Sequence, residues 1–424
     1  MKIIIIALVL VIIISDILTQ KKNDYDLLLE WGKNNSVFIS DKIAMNYTNE
    51  NIKNYYVKKK IKKDETIMSI PRKILLNIDS ALKLSGQKIK NQFKIYKKED
   101  FRNKQKDGIN EILPYRIDQS FLAYLMTIAN KNKSPKSKFY QFYKYFFNTF
   151  ETDVEKYPIF YNSDQIRLLM FSLFGNELME TKEMFDEEYD ILQRKIYKKN
   201  LDQDEYYKHR IFSFNKLVNI SGVSSLVPFL DMIETHPINY NLQVNYTESN
   251  DSLAIVAIKD ITVKDKLFIS VVQMQNSNSL ITYGKVYNEN KHYVESFKIA
   301  KVFTNFLREK KLDPFLASTE IVDLTEKNYY KQILPIYTDL SIHLKEDGSK
   351  TSALRLFLEN MQSIRKTYDT ITPSVLYKNF FQTKYVLNVK SVLDTEKYYL
   401  DKKIRELKIL INKVAANKEL DTDL

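Results

Sequence analysis

The sequence predicts an α+β fold, a small β-rich core that is split by a helical insertion and followed by a helical tail. Three observations carry this. Short β-branched or apolar runs bounded by polar turns occupy residues 42–45, 55–57 and 66–70, as in half-buried strands. Similar runs return at 253–258 and 266–272, after a block at about 81–201 of long aromatic-rich segments with helical spacing. From Tyr293 onward the pattern is helical again.

In chain order, residues 1–19 are a leader, 25–80 the first part of the core, 81–205 the inserted helices, 206–290 the second part of the core and 291–424 the helical tail. Residues 25–34 form an amphipathic first helix through Leu27, Leu28, Leu29 and Trp31, with Gly32 expected to end it. Lys62-Lys63-Asp64-Glu65 reads as a polar turn before the 66–70 strand, and Pro71 closes that section. Inserted helices are expected at 121–130, 138–150, 164–174 and 182–197. Residues 260–265 form the turn between the last two strands, and 353–368 and 396–414 are the clearest tail helices.

A chain of 424 residues suggests two or three packed units, and 44% hydrophobic with 13% aromatic residues is the composition of a folded protein. The formal charge of +12 would suit a polyanionic partner. Only 10 of the 65 basic residues are Arg, however, and no nucleic-acid motif accompanies the charge, which argues against a nucleic-acid partner. The lack of cysteine excludes disulfides, thiol catalysis and cysteine-ligated zinc. His209, His236, His292 and His343 are scattered and form no HExxH-like pair, so no metal site is expected.

Met1-Lys2 precedes an unbroken apolar run over residues 3–14 and then polar sequence from Gln20, the pattern of a secretory signal peptide. The small residues Ser15 and Thr19 have isoleucines two places before them, which makes a poor cleavage site. The expected location is the secretory pathway, secreted or lumenal, or alternatively a single-pass anchor through the uncleaved segment. N-glycosylation triplets begin at Asn34, Asn46, Asn132, Asn219, Asn245 and Asn250, in a chain so rich in Asn that they add little.

Specific motifs sit in the two strand-rich parts. Lys60-Ile61-Lys62-Lys63-Asp64-Glu65-Thr66-Ile67-Met68-Ser69-Ile70-Pro71-Arg72-Lys73 resembles the D-I-x-x-G-E-x-I-x-x-I-P-R-K stretch of the SET-domain proteins of the Rubisco large-subunit methyltransferase and actin-histidine methyltransferase group. Ser225-Leu226-Val227-Pro228-Phe229-Leu230-Asp231-Met232 resembles the group's L-V-P-L-x-D-M segment. Asp260-Ile261-Thr262-Val263-Lys264-Asp265-Lys266-Leu267-Phe268-Ile269-Ser270 resembles D-I-x-x-G-E-x-I-F-I-S. Asn276 to Tyr283-Gly284 keeps the spacing between the S-N and Y-G-F signatures, and the stretches at 158–169, 352–358 and 385–408 resemble the inserted helices and the substrate-binding tail. The resemblance covers nearly everything after residue 25 and implies a SET core with a Rubisco-methyltransferase-type all-α substrate-binding domain.

It also implies a chemistry. Methyl transfer from S-adenosylmethionine to lysine or histidine needs a held cofactor, a neutral and aimed nitrogen, and exclusion of water. The group's cofactor glycines fall at Ile52 and Asn54. Its Asn after Asp-Met falls where Glu234-Thr235 stands, with His236 one place late and Asn239 able to offer an amide. The arginine for the cofactor carboxylate, expected in the helix leading to this segment, falls near Val218 and Ile220. The tyrosine that orients the amine falls at Val271 or Ser270, whereas Tyr283 matches a tyrosine lining the lysine channel; Lys285 replaces the next aromatic.

Joint loss of these groups implies a non-catalytic SET-fold protein whose insertion and tail form a groove for a protein or peptide, with Tyr283, residues 225–231 and the tail helices on its surface. That reading needs no cofactor. The alternative is a divergent but active S-adenosylmethionine-dependent protein-lysine or histidine N-methyltransferase, using His236, Asn239 and Asn276 toward the cofactor and Tyr283 to frame the amine. The lysines at 58–60 and 62–63 are read as a solvated turn.

Overall fold

The computed structural model describes residues 24–47, 53–99, 112–148, 154–170, 172–220, 222–247, 251–270, 275–287, 297–300, 303–313, 321–380 and 383–416. The leader, Ile52, Val271 and His292 lie outside them. The chain divides into two compact units, one of residues 1–152, 188–235 and 239–270, the other of 153–187, 236–238 and 271–424.

The first unit carries the strands β1 (Phe38–Ile39), β2 (Ile43–Tyr47), β3 (Lys53–Val57), β4 (Thr66–Pro71), β5 (Leu217–Ile220), β6 (Val223–Leu226), β7 (Glu234–His236), β8 (Leu242–Thr247), β9 (Ser252–Ala257) and β10 (Phe268–Ser270). Six of them form a sheet in the order β1-β4-β9-β8-β10-β7, and β2-β3 and β5-β6 are separate hairpins. A register shift between Thr66 and Met68 lets the neighbours Ile67 and Met68 both be buried, which strict alternation would forbid.

The two D-I-x-x-G-E-like motifs are equivalent turns bonded to each other. Ile61 N–H donates to the Ile261 carbonyl at 3.0 Å and Ile261 N–H to that of Ile61 at 2.9 Å. Asp64 and Lys264, on the glycine positions of the motif, have φ of 65° and 74°. Glu65 accepts the Lys62 N–H at 3.1 Å, and Asp265 accepts that of Thr262 at 2.8 Å. The nearby lysines are exposed, as expected of a turn, and Lys60 pairs with Asp260 at 2.7 Å.

The first helix, Asp24–Asn34, runs through Gly32 and does not stop there. It ends in a Schellman turn in which Val37 N–H reaches the Gly32 carbonyl at 2.9 Å and Ser36 N–H that of Lys33 at 3.0 Å, with Ser36 at φ 68°. Gly32 instead gives room: a methyl group there would stand 2.5 Å from Phe229 Cζ. Phe229 is the third residue of the turn Val227-Pro228-Phe229-Leu230, closed by Leu230 N–H to the Val227 carbonyl at 3.2 Å. Its φ of 72° is the value that a Pro-started turn of this kind normally reserves for glycine. Residues 225–230 are consequently core and not surface, with Leu226 and Phe229 fully buried, correcting the expectation that this segment lines a binding groove.

Helices pack beside this sheet within the same unit. Ile112–Asn132 lies along Gln203–Asn215, and between them sits Glu188, fully buried. Arg116 Nε donates to its Oε1 at 2.8 Å, Arg210 Nε to its Oε2 at 2.7 Å, and the Tyr206 hydroxyl to Oε2 at 3.2 Å. Burying a carboxylate is tolerable here because both oxygens receive charge-assisted donors.

The second unit is built on Tyr329–His343, Lys350–Thr370 and Thr383–Ala415, whose apolar faces share a core that includes Ile333, Tyr337, Phe357, Met361, Val389 and Leu400. The single helix expected at 164–174 is two, Ser163–Leu169 and Leu173–Ile191. Ser172 makes the break by donating to the Leu169 carbonyl at 2.6 Å and accepting the Gly175 N–H at 3.0 Å. The tail is also not purely helical: β11 (Lys298–Ala300) and β12 (Ile321–Asp323) pair antiparallel.

The left-handed turns set a first prediction. Lys264 has no side-chain hydrogen bond among the described residues to compensate its backbone, so Lys264→Gly should raise stability by roughly 0.5–1 kcal/mol in urea unfolding.

Candidate functional site

The residues that the resemblance assigned to cofactor and substrate fall in both units. In the first, Val218 and Ile220 are not in a helix: they lie on β5, in register with Ser225 and Val223 of β6. The helix before them ends at Asn215 and its arginine, Arg210, is consumed by Glu188. The nearest cation to follow is Lys216, which caps that helix and donates from Nζ to the Asp231 carbonyl at 2.8 Å. Asn54 pairs with Asn46 in the regular β2-β3 ladder. Glu234 and Thr235 begin β7, and Glu234 pairs with Lys266 at 3.4 Å.

Asn239 is exposed, and Ser270 is exposed at the end of β10. The amide that this stretch does use is Asn241, which is buried. It donates to the Lys266 carbonyl at 2.8 Å and accepts the Phe268 N–H at 2.9 Å, fixing β8 against β10.

In the second unit the structure brings two of the remaining candidates, Asn276 and His236, onto one residue, Tyr287. The helix Asn276–Tyr283 begins with Asn276, 1% exposed, whose Oδ1 accepts the Tyr287 N–H at 3.2 Å. Tyr287, itself buried, meets the His236 ring edge-on with centroids 5.1 Å apart, and Lys285 Nζ lies 5.1 Å from the Tyr287 centroid. His236 Nδ1 accepts the Ile238 N–H at 3.2 Å, which leaves Nε2 to carry the proton of the neutral ring. Tyr283 closes the helix and is half-buried, and burial raises its phenol above the ordinary value. Gly284 follows at φ 66°, where a methyl group would also stand 2.6 Å from Lys156 Cγ, so glycine is required twice over.

This cluster is a packed one. Tyr287 lies three residues beyond Gly284, two past Lys285 where the motif places its aromatic, so the motif's spacing does not point to it. Asn276 Nδ2 and Gln275 Oε1 are buried without a hydrogen-bond partner among the described residues, and both residues line a cavity of about 10 Å³, room for one water. Glu396 of the long last helix lines it too. Its carboxyl accepts the Phe174 N–H at 2.7 Å and the Tyr368 hydroxyl at 2.8 Å, and burial pushes its pKa up to about 8 against those bonds.

The described residues do not fit a methyl donor with an amino-acid head. No cation stands at Val218 or Ile220, an acidic side chain replaces the expected amide at Glu234, and His236 and Asn276 are both used in holding Tyr287. Among the described residues there is likewise no group of three metal-ligating side chains.

No protein-family model matches the chain, and no curated protein matches it. Solved structures do. The SET domain of LSMT bound to lysine and AdoHcy is similar at 12% identity and TM-score 0.60, over 95% of this chain and 96% of that one. Rubisco LSMT bound to sinefungin and monomethyllysine gives 13% identity and 0.60 over 95% and 96%, and Rubisco LSMT bound to AdoMet 12% and 0.59 over 95% and 97%. This chain therefore has the SET-domain fold of Rubisco LSMT, α+β with a helical C-terminal region, as the motifs implied.

Glu396 generates a pH dependence. Its folded pKa lies above the ordinary 4.5, so its stabilising contribution is complete below that value and is lost as pH rises through about 8. The melting temperature should fall between about pH 5 and pH 9, and Glu396→Gln should flatten that slope and melt higher than the parent at the alkaline end.

Proposed function

We propose that this chain is a SET-fold protein that holds a protein or peptide segment without transferring methyl groups to it. The observation that carries the reading is the internal use of the rescue candidates: His236 and Asn276 together fix Tyr287. His236 cannot turn toward a sulfonium ligand without leaving the Tyr287 ring, and Asn276 cannot turn its Oδ1 away without releasing the Tyr287 N–H. The neighbours of this fold are named with lysine or monomethyllysine bound, which supports a side chain of a protein as the kind of ligand this architecture accommodates. The binding surface in this reading belongs to Tyr283 and the helices of the tail; residues 225–230 are excluded from it by burial.

One observation favours the alternative, a divergent but active protein-lysine or histidine N-methyltransferase dependent on S-adenosylmethionine. Tyr283 keeps a half-buried hydroxyl with no hydrogen bond among the described residues, which is what a group framing an amine requires. We place the protein in the secretory pathway, on the leader sequence at residues 1–19. Among the described residues no helix is long and apolar enough to cross a membrane.

Titration calorimetry of the chain from Gln20 with S-adenosylmethionine and S-adenosylhomocysteine separates the two. The binding reading predicts no heat up to millimolar ligand; micromolar binding that Asn276→Ala abolishes would establish a rebuilt cofactor site.

A further inference from the structure

Within the first unit, a cleft of about 590 Å³ lies where Ile78–Leu84 ends, Gln87–Tyr96 and Lys138–Phe147 begin, and Ile112–Asn132 passes beneath. That volume is within the range of small-molecule sites, about 300–1,000 Å³. Its floor is apolar: Leu125, Ala129 and Phe139 are buried, and Leu84, Ile89 and Ile128 are half-buried and line it. Its rim holds Lys83, Lys136 and Lys138, all exposed and without an ion pair among the described residues. Among the described residues no Asp or Glu lines the cleft.

The polar groups of the lining are mostly committed. The Ser85 hydroxyl donates to the Ala81 carbonyl at 2.7 Å, that of Ser137 accepts the Tyr140 N–H at 3.1 Å, and that of Ser134 accepts the Lys136 N–H at 3.3 Å. A peptide brings a donor and an acceptor with every residue and would find few partners on this floor. An unbranched hydrocarbon chain needs none, and its one carboxylate end would meet three ammonium groups of opposite sign.

We propose that this cleft binds an acyl anion, a long apolar chain ending in a carboxylate, with the chain on the Leu125, Ile128 and Phe139 floor and the head among Lys83, Lys136 and Lys138. The site is independent of the methyl-transfer question, since nothing in it belongs to the positions matched to cofactor or amine.

The test is calorimetric titration of the full chain with monomeric palmitate, with hexadecanol as the uncharged chain, and with phosphatidylserine vesicles as an anionic surface. Palmitate should bind at micromolar concentration and hexadecanol at least about tenfold more weakly. The exposed triple substitution K83E/K136E/K138E should abolish the preference for palmitate, and Ile128→Asp should weaken both ligands, with circular dichroism unchanged in either variant. Absence of palmitate binding would overturn the proposal. So would palmitate affinity untouched by both variants, or lysine-dependent binding to vesicles alone, which would make the rim a membrane-surface patch.

Discussion

The backbone of Phe229 is held in a left-handed conformation by the rings around it, and much of the first unit hangs on that arrangement. A bulky residue at positive φ costs about 1–3 kcal/mol. Burying the phenyl ring returns about 1.5–3 kcal/mol, and each aromatic pair adds about 0.5–1.5 more. The ring stacks on Trp31 at 6.5 Å; Trp31 in turn meets Phe142 edge-on at 5.6 Å and Tyr143 at 6.4 Å. Tyr143 donates to the Leu75 carbonyl at 3.1 Å, next to the Leu76–Leu226 bridge. The first helix, the Lys138–Phe147 helix and the segment leading to Asp231 are thus joined through the Trp31 ring, and Gly32 makes the room that the Phe229 ring needs.

That constraint shapes the functional reading. A segment locked from both ends cannot double as a groove wall, so whatever the protein holds must be held by other surfaces. The packed cluster of His236, Tyr287 and Asn276 acts in the same direction in the second unit. The SET-domain fold is present in the sheet, the paired turns and the tail, while His236 and Asn276 are engaged in packing.

Much of the fold was legible because its strands repeat a motif. The runs at 66–70 and 253–258 are short and largely apolar or β-branched between polar turns, and both D-I-x-x-G-E-like turns were visible although Asp64 and Lys264 stand where glycine would announce them. Strands β5 to β7 escaped because Asn219, Ser224 and Glu234 give them the polar look of loops, and β8 follows Pro237, Asn239 and Asn241, which read as turn. The three-residue strands β11 and β12 are too short to leave a period. At the site, the side chains standing at the matched positions, Tyr283, Asn54, Val218 and Ile220, could be read directly. The burial of residues 225–230 could not, because it follows from a ring packing across 198 positions of sequence, from Trp31 to Phe229.

The central claim is that this SET fold binds without methylating. Its most direct test is incubation of the chain with methyl-tritiated S-adenosylmethionine over an array of lysine- and histidine-containing peptides, beside Tyr283→Phe. Peptides retained on the chain without label are the predicted result. Label that appears on a peptide and is lost with the Tyr283 hydroxyl would contradict it.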